Sequence, residues 1–322
     1  MKRGILLKPL RVGVIGVGYL GQHHTRLYQE IPDCQLVGIA DINKERVTQL
    51  GNKFAVPAFT DLEELLPKVE AVSVVVPTEN HYSVAKRVLE TGCHLLLEKP
   101  ITKTISEAEE LISLAKSKDL IFQIGHVERY NPAVRAVENF IHQPFFIEAR
   151  RLGLFSPRGA NVSVTLELMI HDLEIILHFV KSPVIKIEAM GANVLSPNED
   201  IANVYLEFGN GSLANLTASR ISPEKMRQIQ FFQEKTCIFV DYLNQIAKIQ
   251  HLSSNIITSE EIEIKKDEPL RLELISFINC VKNRTKPLVS GEKGLQALKL
   301  VHEIQQKIEQ RKEKWKSLVK QE

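Results

Sequence analysis

Long apolar runs are missing from this 322-residue chain. No uncharged apolar stretch approaches the roughly 18–20 residues that a membrane-spanning helix needs, so a helical membrane protein is not expected. A charge excess is missing too. There are 41 Lys and Arg against 39 Asp and Glu, a formal net charge of +2, too balanced for an electrostatic nucleic-acid binder. The basicity that exists sits at the ends: Lys2, Arg3, Lys8 and Arg11 at the start, and six Lys or Arg against three Glu over 307–322. The body between them is slightly acidic, with 31 basic and 36 acidic residues. Cysteine is scarce. Cys34, Cys93, Cys237 and Cys280 form no C-x-x-C pair, so a disulfide framework is not expected and free thiols in a reducing cytoplasm are. Internal repeats, low-complexity segments and an H-E-x-x-H metal motif are also absent. No metal is expected, because the seven-residue separation of His171 and His178 is not a known ligand spacing.

What remains is ordinary for a globular protein: 44% hydrophobic and 25% charged residues. At about 150 residues per domain the length suggests two domains. MKRGILLKPLRVGVIG begins basic and then apolar, but Pro9 and Arg11 interrupt it and no small-residue cleavage pattern follows. It is read as a lead-in to a first buried strand.

Residues 11–125 alternate apolar and amphipathic stretches. RVGVIG, QLVGIAD, AVSVVV, HLLLE and LIFQIG are short and rich in β-branched residues, as strands buried on both faces of a parallel sheet are. Helical stretches at 19–30, 43–52, 80–91 and 104–117 separate them. The order predicts an α/β domain over residues 1–127. From 128 to 322 the rhythm becomes α+β. A helix is expected at NPAVRAVENFIH, a strand at FFIEARRL and an apolar helix at 165–180. A run of strands from 183 to about 264 follows, with a hairpin at Gly209–Gly211. Two helices near 268–283 and 292–316 close the chain. The basic tail with Trp315 reads either as the solvated end of an amphipathic helix or as a partner contact.

The first strand ends in Gly16-Val17-Gly18-Tyr19-Leu20-Gly21, a G-x-G-x-x-G, and a second strand ends in Asp41. Gly16 permits the tight turn, Gly18 lets backbone approach a pyrophosphate, and Gly21 packs helix on sheet. Asp41 would bind the adenosine ribose hydroxyls and repel a 2′-phosphate. Ile42 and Asn43 follow it rather than Arg, so NAD is favoured over NADP. The bland alternative is a turn that binds nothing.

HLLLEKP ends a strand with Glu98, Lys99 and Pro100. A lysine at that edge would be partly desolvated, which favours proton transfer near neutrality; a surface lysine paired with Glu98 is the plainer reading. Pro77, Thr78, Asn80 and His81 end another strand at the same edge, although Thr78 or Asn80 could cap the next helix and His81 could be helix surface. TLELMIHDLEIILHFV (165–180) is apolar around nearly its whole circumference, yet carries Glu167, His171, Asp172, Glu174 and His178. Buried ionisable groups must be paired or functional. Glu167 and His171 share a face, where a carboxylate can fix the histidine tautomer; a satisfied core histidine is the alternative.

In order, VGVIGVGYLGQHH, VVVPTENH, LLLEKPIT, GHVERYNPAV, ELMIHDLE and KPLVSGEKGLQAL resemble the Gfo/Idh/MocA family of nicotinamide-dependent oxidoreductases over nearly the whole chain. The resemblance implies a Rossmann domain followed by an α+β domain with an open, mostly antiparallel sheet. It implies homo-oligomers, dimer or tetramer, formed through that sheet's exposed face. It also implies oxidation or reduction of a carbinol on a sugar, cyclitol or sugar nucleotide. The family's catalytic lysine falls on Lys99, often before a cis proline, here Pro100, and its catalytic histidine on His171. Glu167 stands where the family usually has Asp.

The cofactor set is then Gly16, Gly18, Tyr19, Leu20, Gly21, Asp41, Pro77, Thr78, Asn80, His81, Glu98 and Lys99. The substrate set is Lys99, Arg129, Tyr130, Asn131, Arg151, His171 and Arg220, with Arg150 and Arg158 as further phosphate-binding candidates. GHVERYNP, LMIHDLE and SRISPEKMRQIQFF are most similar to UDP-N-acetylglucosamine 3-dehydrogenases, whose product a partner aminotransferase takes up. An inositol or free-sugar dehydrogenase, and a non-catalytic NAD-binding sensor or co-regulator, are the alternatives.

Overall fold

The computed structural model describes residues 8–157, 159–253 and 256–319. The first seven residues of the basic lead-in, Arg158 and the last three residues of the tail lie outside them. The chain forms two compact units: the chain up to His126 with Leu270–Leu295, and Val127–Pro269 with the chain from Gln296 onward. The first division falls beside the expected boundary at 127/128. The return of residues 270–295 to the first unit was not expected.

The first unit is doubly wound. Strands β1 (Leu10–Ile15), β2 (Cys34–Ala40), β3 (Ala58–Phe59), β4 (Ala71–Val74), β5 (His94–Glu98) and β6 (Phe122–Gly125) form a parallel sheet in the order β3-β2-β1-β4-β5-β6. Helices α1 (Gly21–Glu30), α2 (Lys44–Phe54), α3 (Leu62–Leu65), α4 (His81–Glu90) and α5 (Ile105–Ser117) connect them. Every residue of β4 is buried, as its unbroken apolar sequence requires. Asn43 caps α2 through the Arg46 N–H, and Thr104 and Glu107 make a capping box on α5. β3 and α3 were not expected, because two and four residues are too short to show a period.

The second unit opens with α6 (Pro132–Ala136) and β7 (Phe146–Leu152). Helix α6 is much shorter than the expected NPAVRAVENFIH helix. Residue Glu138 lies beyond its end and pairs with Arg129, Arg135 and His178. The apolar helix begins with a π-helical turn, Thr165–Met169, and continues as α7 (Ile170–Val180). Such turns recur at functional sites. Strands β8 (Val184–Ala192), β9 (Ile201–Phe208), β10 (Leu213–Ser219), β11 (Met226–Gln233), β12 (Thr236–Asp241), β13 (Ile246–Ser253) and β14 (Ile256–Glu261) join β7 in one sheet. Its order is β14-β13-β12-β11-β7-β10-β9-β8, antiparallel except for β7 with β10.

Burial alternates strictly along β9, so one face meets the core and the other does not. Gly209–Gly211 make the hairpin, with Gly211 at φ +84°. Against the inner face pack α7 and the apolar stripe Ala297, Val301, Ile304 and Ile308.

Two helices complete the chain: α8 (Pro269–Asn283) and α9 (Gly291–Val319). The α8 stripe Leu274, Phe277, Ile278 and Val281 packs into the core of the first unit, with Val12, Leu27 and Leu96. Trp315 near the end of α9 is exposed. All four cysteines are free thiols. Among the described residues no helix is long and apolar enough to cross a membrane, and no cluster of His, Cys, Asp and Glu could hold a metal ion.

Candidate active site

In the first unit three connections leave the carboxyl edge of the sheet side by side. Ile15 is in register with Val74, and Val74 with Leu97. The glycine turn, the Pro77–Asn80 segment and the Glu98–Pro100 corner therefore start at similar heights, where strand order reverses and ligands bind in such sheets.

Gly16 has φ +86°, and a Cβ on it would lie 2.6 Å from the Val75 carbonyl oxygen. A Cβ on Gly21 would run into the Gly16 carbonyl oxygen. The protein itself demands both glycines. Gly18 is different, because a Cβ there would meet nothing within 4 Å. It stands before the N-terminus of α1, which has no side-chain cap and no acidic residue in its first turn. Open space before an uncapped helix is what close approach of a pyrophosphate needs, so this turn fits the phosphates of NAD. Tyr19 and Leu20 are exposed beside it.

Asp41 is fixed by two main-chain donors, the Val17 N–H at 2.9 Å and the Asn43 N–H at 2.8 Å. The two residues after Asp41 are not arginine, but an arginine further along the chain comes back to it. The first turn of α2 brings Arg46 Nη1 to 3.4 Å from Asp41 Oδ2. Asp41 still opposes a 2′-phosphate, and Arg46 is paired with that carboxylate. Asp41→Ala should lower the preference for NAD over NADP in kcat/KM by about tenfold or more, near 1.4 kcal/mol. Steady-state kinetics with both cofactors check this, and a preference unchanged within about twofold would contradict it.

Neither Thr78 nor Asn80 caps α4. Pro77 and Asn80 are exposed and Thr78 is half-buried. His81 is not helix surface. It is buried, with Nδ1 2.7 Å from the Pro100 carbonyl oxygen and Nε2 3.0 Å from that of Val76. It ties two of the three connections together, and burial pushes its pKa down. Its expected cofactor contact is thereby replaced by a positioning role.

Glu98 Oε1 lies 3.1 Å from His24 Nε2, and Oε2 accepts from the Lys99 N–H at 3.3 Å. Against the cost of burial, His24 and Lys99 hold the Glu98 carboxyl below the usual range. Lys99 is half-buried and precedes a cis proline. The pairing of Glu98 with His24 on α1 was not foreseen, because 74 residues separate them.

Glu273 on α8 was also missed. It is fully buried, and among the described residues neither carboxyl oxygen has a hydrogen-bonding partner. It falls on the buried stripe with Leu274, Phe277, Ile278 and Val281, a helical spacing that marks it in the sequence. Burial and the nearby Glu98 push its carboxyl well above the ordinary range. The folded protein then holds a proton that the unfolded chain gives up near its ordinary carboxyl value. Above that value stability falls with rising pH, by at most about 1.4 kcal/mol per pH unit. Glu273→Gln removes this titration. The variant should melt above the parent at pH 8 and converge with it near pH 4. Parallel curves of Tm against pH would contradict the protonated state.

The second unit carries the other candidates. His171 is buried on the first turn of α7. Glu167 lies in the π-helical turn, 3.4 Å from Arg220 Nη1. Several expected substrate ligands prove to be internal braces. Arg129 is fully buried, with its Nε 3.2 Å from Glu174 and Nη2 3.4 Å from Glu138. Tyr130 is buried. Asn131 caps α6 and donates to Glu128 and to the Tyr242 carbonyl oxygen.

Arg151 is buried and grips Asp172 bidentately at 2.8 and 2.9 Å, with Nη1 2.8 Å from Glu128. Against burial, Arg151 and Arg227 hold Glu128 below the usual carboxylate range. Arg220 donates to the carbonyl oxygens of Gly159, Val162 and Glu199 and pairs with Asp200. Arg150 is exposed and bound to Glu148. Removing one partner of a buried pair costs about 3–5 kcal/mol, so Arg129 and Arg151 hold the fold first.

A cavity of about 290 Å³ opens within this unit between β7, the Gly153–Ser156 loop, the π-helical turn and β11. Glu167, Arg151, Arg220, Lys225 and Arg227 are in its walls. Lys225 and Arg227 were not among the expected residues, although both lie in SRISPEKMRQIQFF.

The family description "Oxidoreductase family, NAD-binding Rossmann fold" matches residues 10–126, and "GFO/IDH/MocA C-terminal domain" matches residues 133–238. A UDP-N-acetylglucosamine 3-dehydrogenase from Acidithiobacillus ferrooxidans is 32% identical over 93% of this chain and 97% of its own. Its solved structure superposes with a TM-score of 0.90, covering 94% of this chain and 99% of that one. A myo-inositol 2-dehydrogenase from Thermotoga maritima is 28% identical over 94% of this chain and 97% of its own.

Proposed function

The chain belongs to the Gfo/Idh/MocA family of NAD-binding oxidoreductases, and from that premise we propose that it oxidises the 3-hydroxyl of UDP-N-acetylglucosamine. The whole-length likeness to a dehydrogenase of that substrate carries the reading. The Gly16–Gly21 turn would hold the pyrophosphate of NAD and Asp41 its adenosine ribose, with Pro77, Thr78 and Glu98 at the same sheet edge as further cofactor residues. Bound there, NAD would supply a hydride acceptor for oxidation of a carbinol carbon to a ketone.

The protein's own part is positioning and proton transfer. His171 accepts the hydroxyl proton. Lys99 is suited to stabilise developing negative charge on a substrate oxygen by donating a hydrogen bond. Glu167 supports the charged imidazole that results, sharing its own charge with Arg220. Arg129, Arg151 and Asn131 brace the second unit through their buried pairs. Retention of both Lys99 and His171 disfavours a non-catalytic NAD sensor, which needs neither.

The half-buried outward face of β9 and β10 supports homo-oligomerisation through that sheet, and the free thiols fit a reducing cytoplasm. A 3-keto product is a substrate for an aminotransferase acting next. Reducing the product with borodeuteride and locating the label by mass spectrometry tests the regiochemistry. A single deuterium at C3 is expected, and a label at any other carbon would overturn the assignment.

A further inference from the structure

We propose that Lys225 and Arg227, at the entry to β11, form the clasp for the diphosphate of the nucleotide-sugar substrate. The inference rests on the substrate class proposed above and identifies which residues recognise it. The cavity walls present four cations, Arg151, Arg220, Lys225 and Arg227, against one carboxylate, Glu167. Arg220 is committed to that carboxylate, to Asp200 and to three carbonyl oxygens. Arg151 is committed to Asp172 and Glu128. Lys225 is exposed and makes no ion pair among the described residues. Among the described residues Arg227 forms an ion pair only with Glu128, at 3.5 Å, on the same oxygen that Arg151 already holds at 2.8 Å.

The sheet register sharpens the point. Arg227 stands directly opposite Arg151 across the antiparallel β7–β11 pair. Like charges facing each other across strands are unfavourable unless an anion lies between them. Here Glu128 Oε1 serves both guanidinium groups, and the second carboxylate, Asp172, is gripped bidentately by Arg151. Burial and the adjacent Arg151 push the Arg227 pKa down, as expected for a cation short of negative charge.

Lys225 and Arg227, two residues apart at the start of β11, both line the cavity. A guanidinium pairs bidentately with phosphate and an ammonium adds a point charge. The Ser156 hydroxyl and the exposed apolar Leu154 line the same cavity. Its volume of about 290 Å³ is at the low end of the roughly 300–1,000 Å³ of small-molecule sites. It suits one part of a nucleotide sugar rather than the whole.

Calorimetric titration of the NAD-loaded protein with UDP and with inorganic pyrophosphate tests the clasp. Lys225→Gln and Arg227→Gln should each weaken UDP about tenfold, and the double variant about a hundredfold. Arg227→Lys should recover part of the loss. The affinity for NAD and the Tm should stay near those of the parent in Lys225→Gln, whose side chain is exposed. With UDP-N-acetylglucosamine, the KM of the variants should rise while kcat holds, the mark of binding lost equally in ground and transition states. UDP affinity unchanged in the double variant, or no UDP binding by the parent, would overturn the clasp. Turnover of UDP-N-acetylglucosamine with unchanged KM in the double variant would sink the clasp and leave the proposed function standing. UDP binding that the variants lose, without turnover, would sustain the clasp and remove the proposed reaction.

Discussion

Gly18→Val is expected to abolish dinucleotide binding in a protein that still folds. The Kd for NAD should rise at least about a hundredfold, near 2.7 kcal/mol. The argument comes from three glycines of one turn that differ in what surrounds them. Gly16 is held at φ +86°, with the Val75 carbonyl oxygen where a Cβ would go, and Gly21 faces the Gly16 carbonyl oxygen. Side chains at either position collide with the protein, and such overpacking should cost at least about 3 kcal/mol.

Gly18 faces open space. Nothing in the protein resists a side chain there, and the unfolded chain loses entropy when glycine is replaced, so the Tm should hold within about 3 °C. The isopropyl group of valine would instead occupy the volume that the pyrophosphate needs. Calorimetry with NAD and a thermal melt, run on Gly18→Val and Gly21→Val together, separate the two roles. A Gly18→Val protein that binds NAD as the parent does would remove this turn from the cofactor site.

His171→Ala is expected to lower kcat by about 10²–10⁴-fold, the range that a positioned general base supplies. NAD binding should be unchanged, because the glycine turn and Asp41 that would hold the dinucleotide are untouched. Lys99→Met should also cut kcat, since it removes a donor that stabilises charge on the reacting oxygen. Unchanged turnover in His171→Ala would end the assignment.

The first unit was legible because strands buried on both faces are written as continuous β-branched runs. AVSVVV and HLLLE admit no amphipathic reading, and β4 and β5 lie within them. α4 and α5 fall within a residue or two of the expected 80–91 and 104–117. The allegiance of α8 was not legible. A stripe of Leu274, Phe277 and Val281 shows that a helix is buried, but not which core it joins.

Lys99 and His171 stood out through motif and burial. The arginines did not sort themselves, because a guanidinium reads the same in sequence whether spent or available. What separates Arg129 and Arg151 from Arg227 is the position of Glu128, Glu138, Asp172 and Glu174 in space. The pairing of Arg46 with Asp41 was within reach. Asn43 is a legible N-cap, and the turn that follows brings the fifth residue after Asp41 back toward it.

The most direct test of the central claim is absorbance at the reduced-nicotinamide band, with purified protein, NAD and UDP-N-acetylglucosamine. A parallel reaction would contain myo-inositol, and glutamate with a suitable aminotransferase would draw the oxidation forward. Reduction of NAD with the sugar nucleotide and none with myo-inositol is the predicted result. A flat trace with the sugar nucleotide, from protein shown to bind NAD, would contradict it.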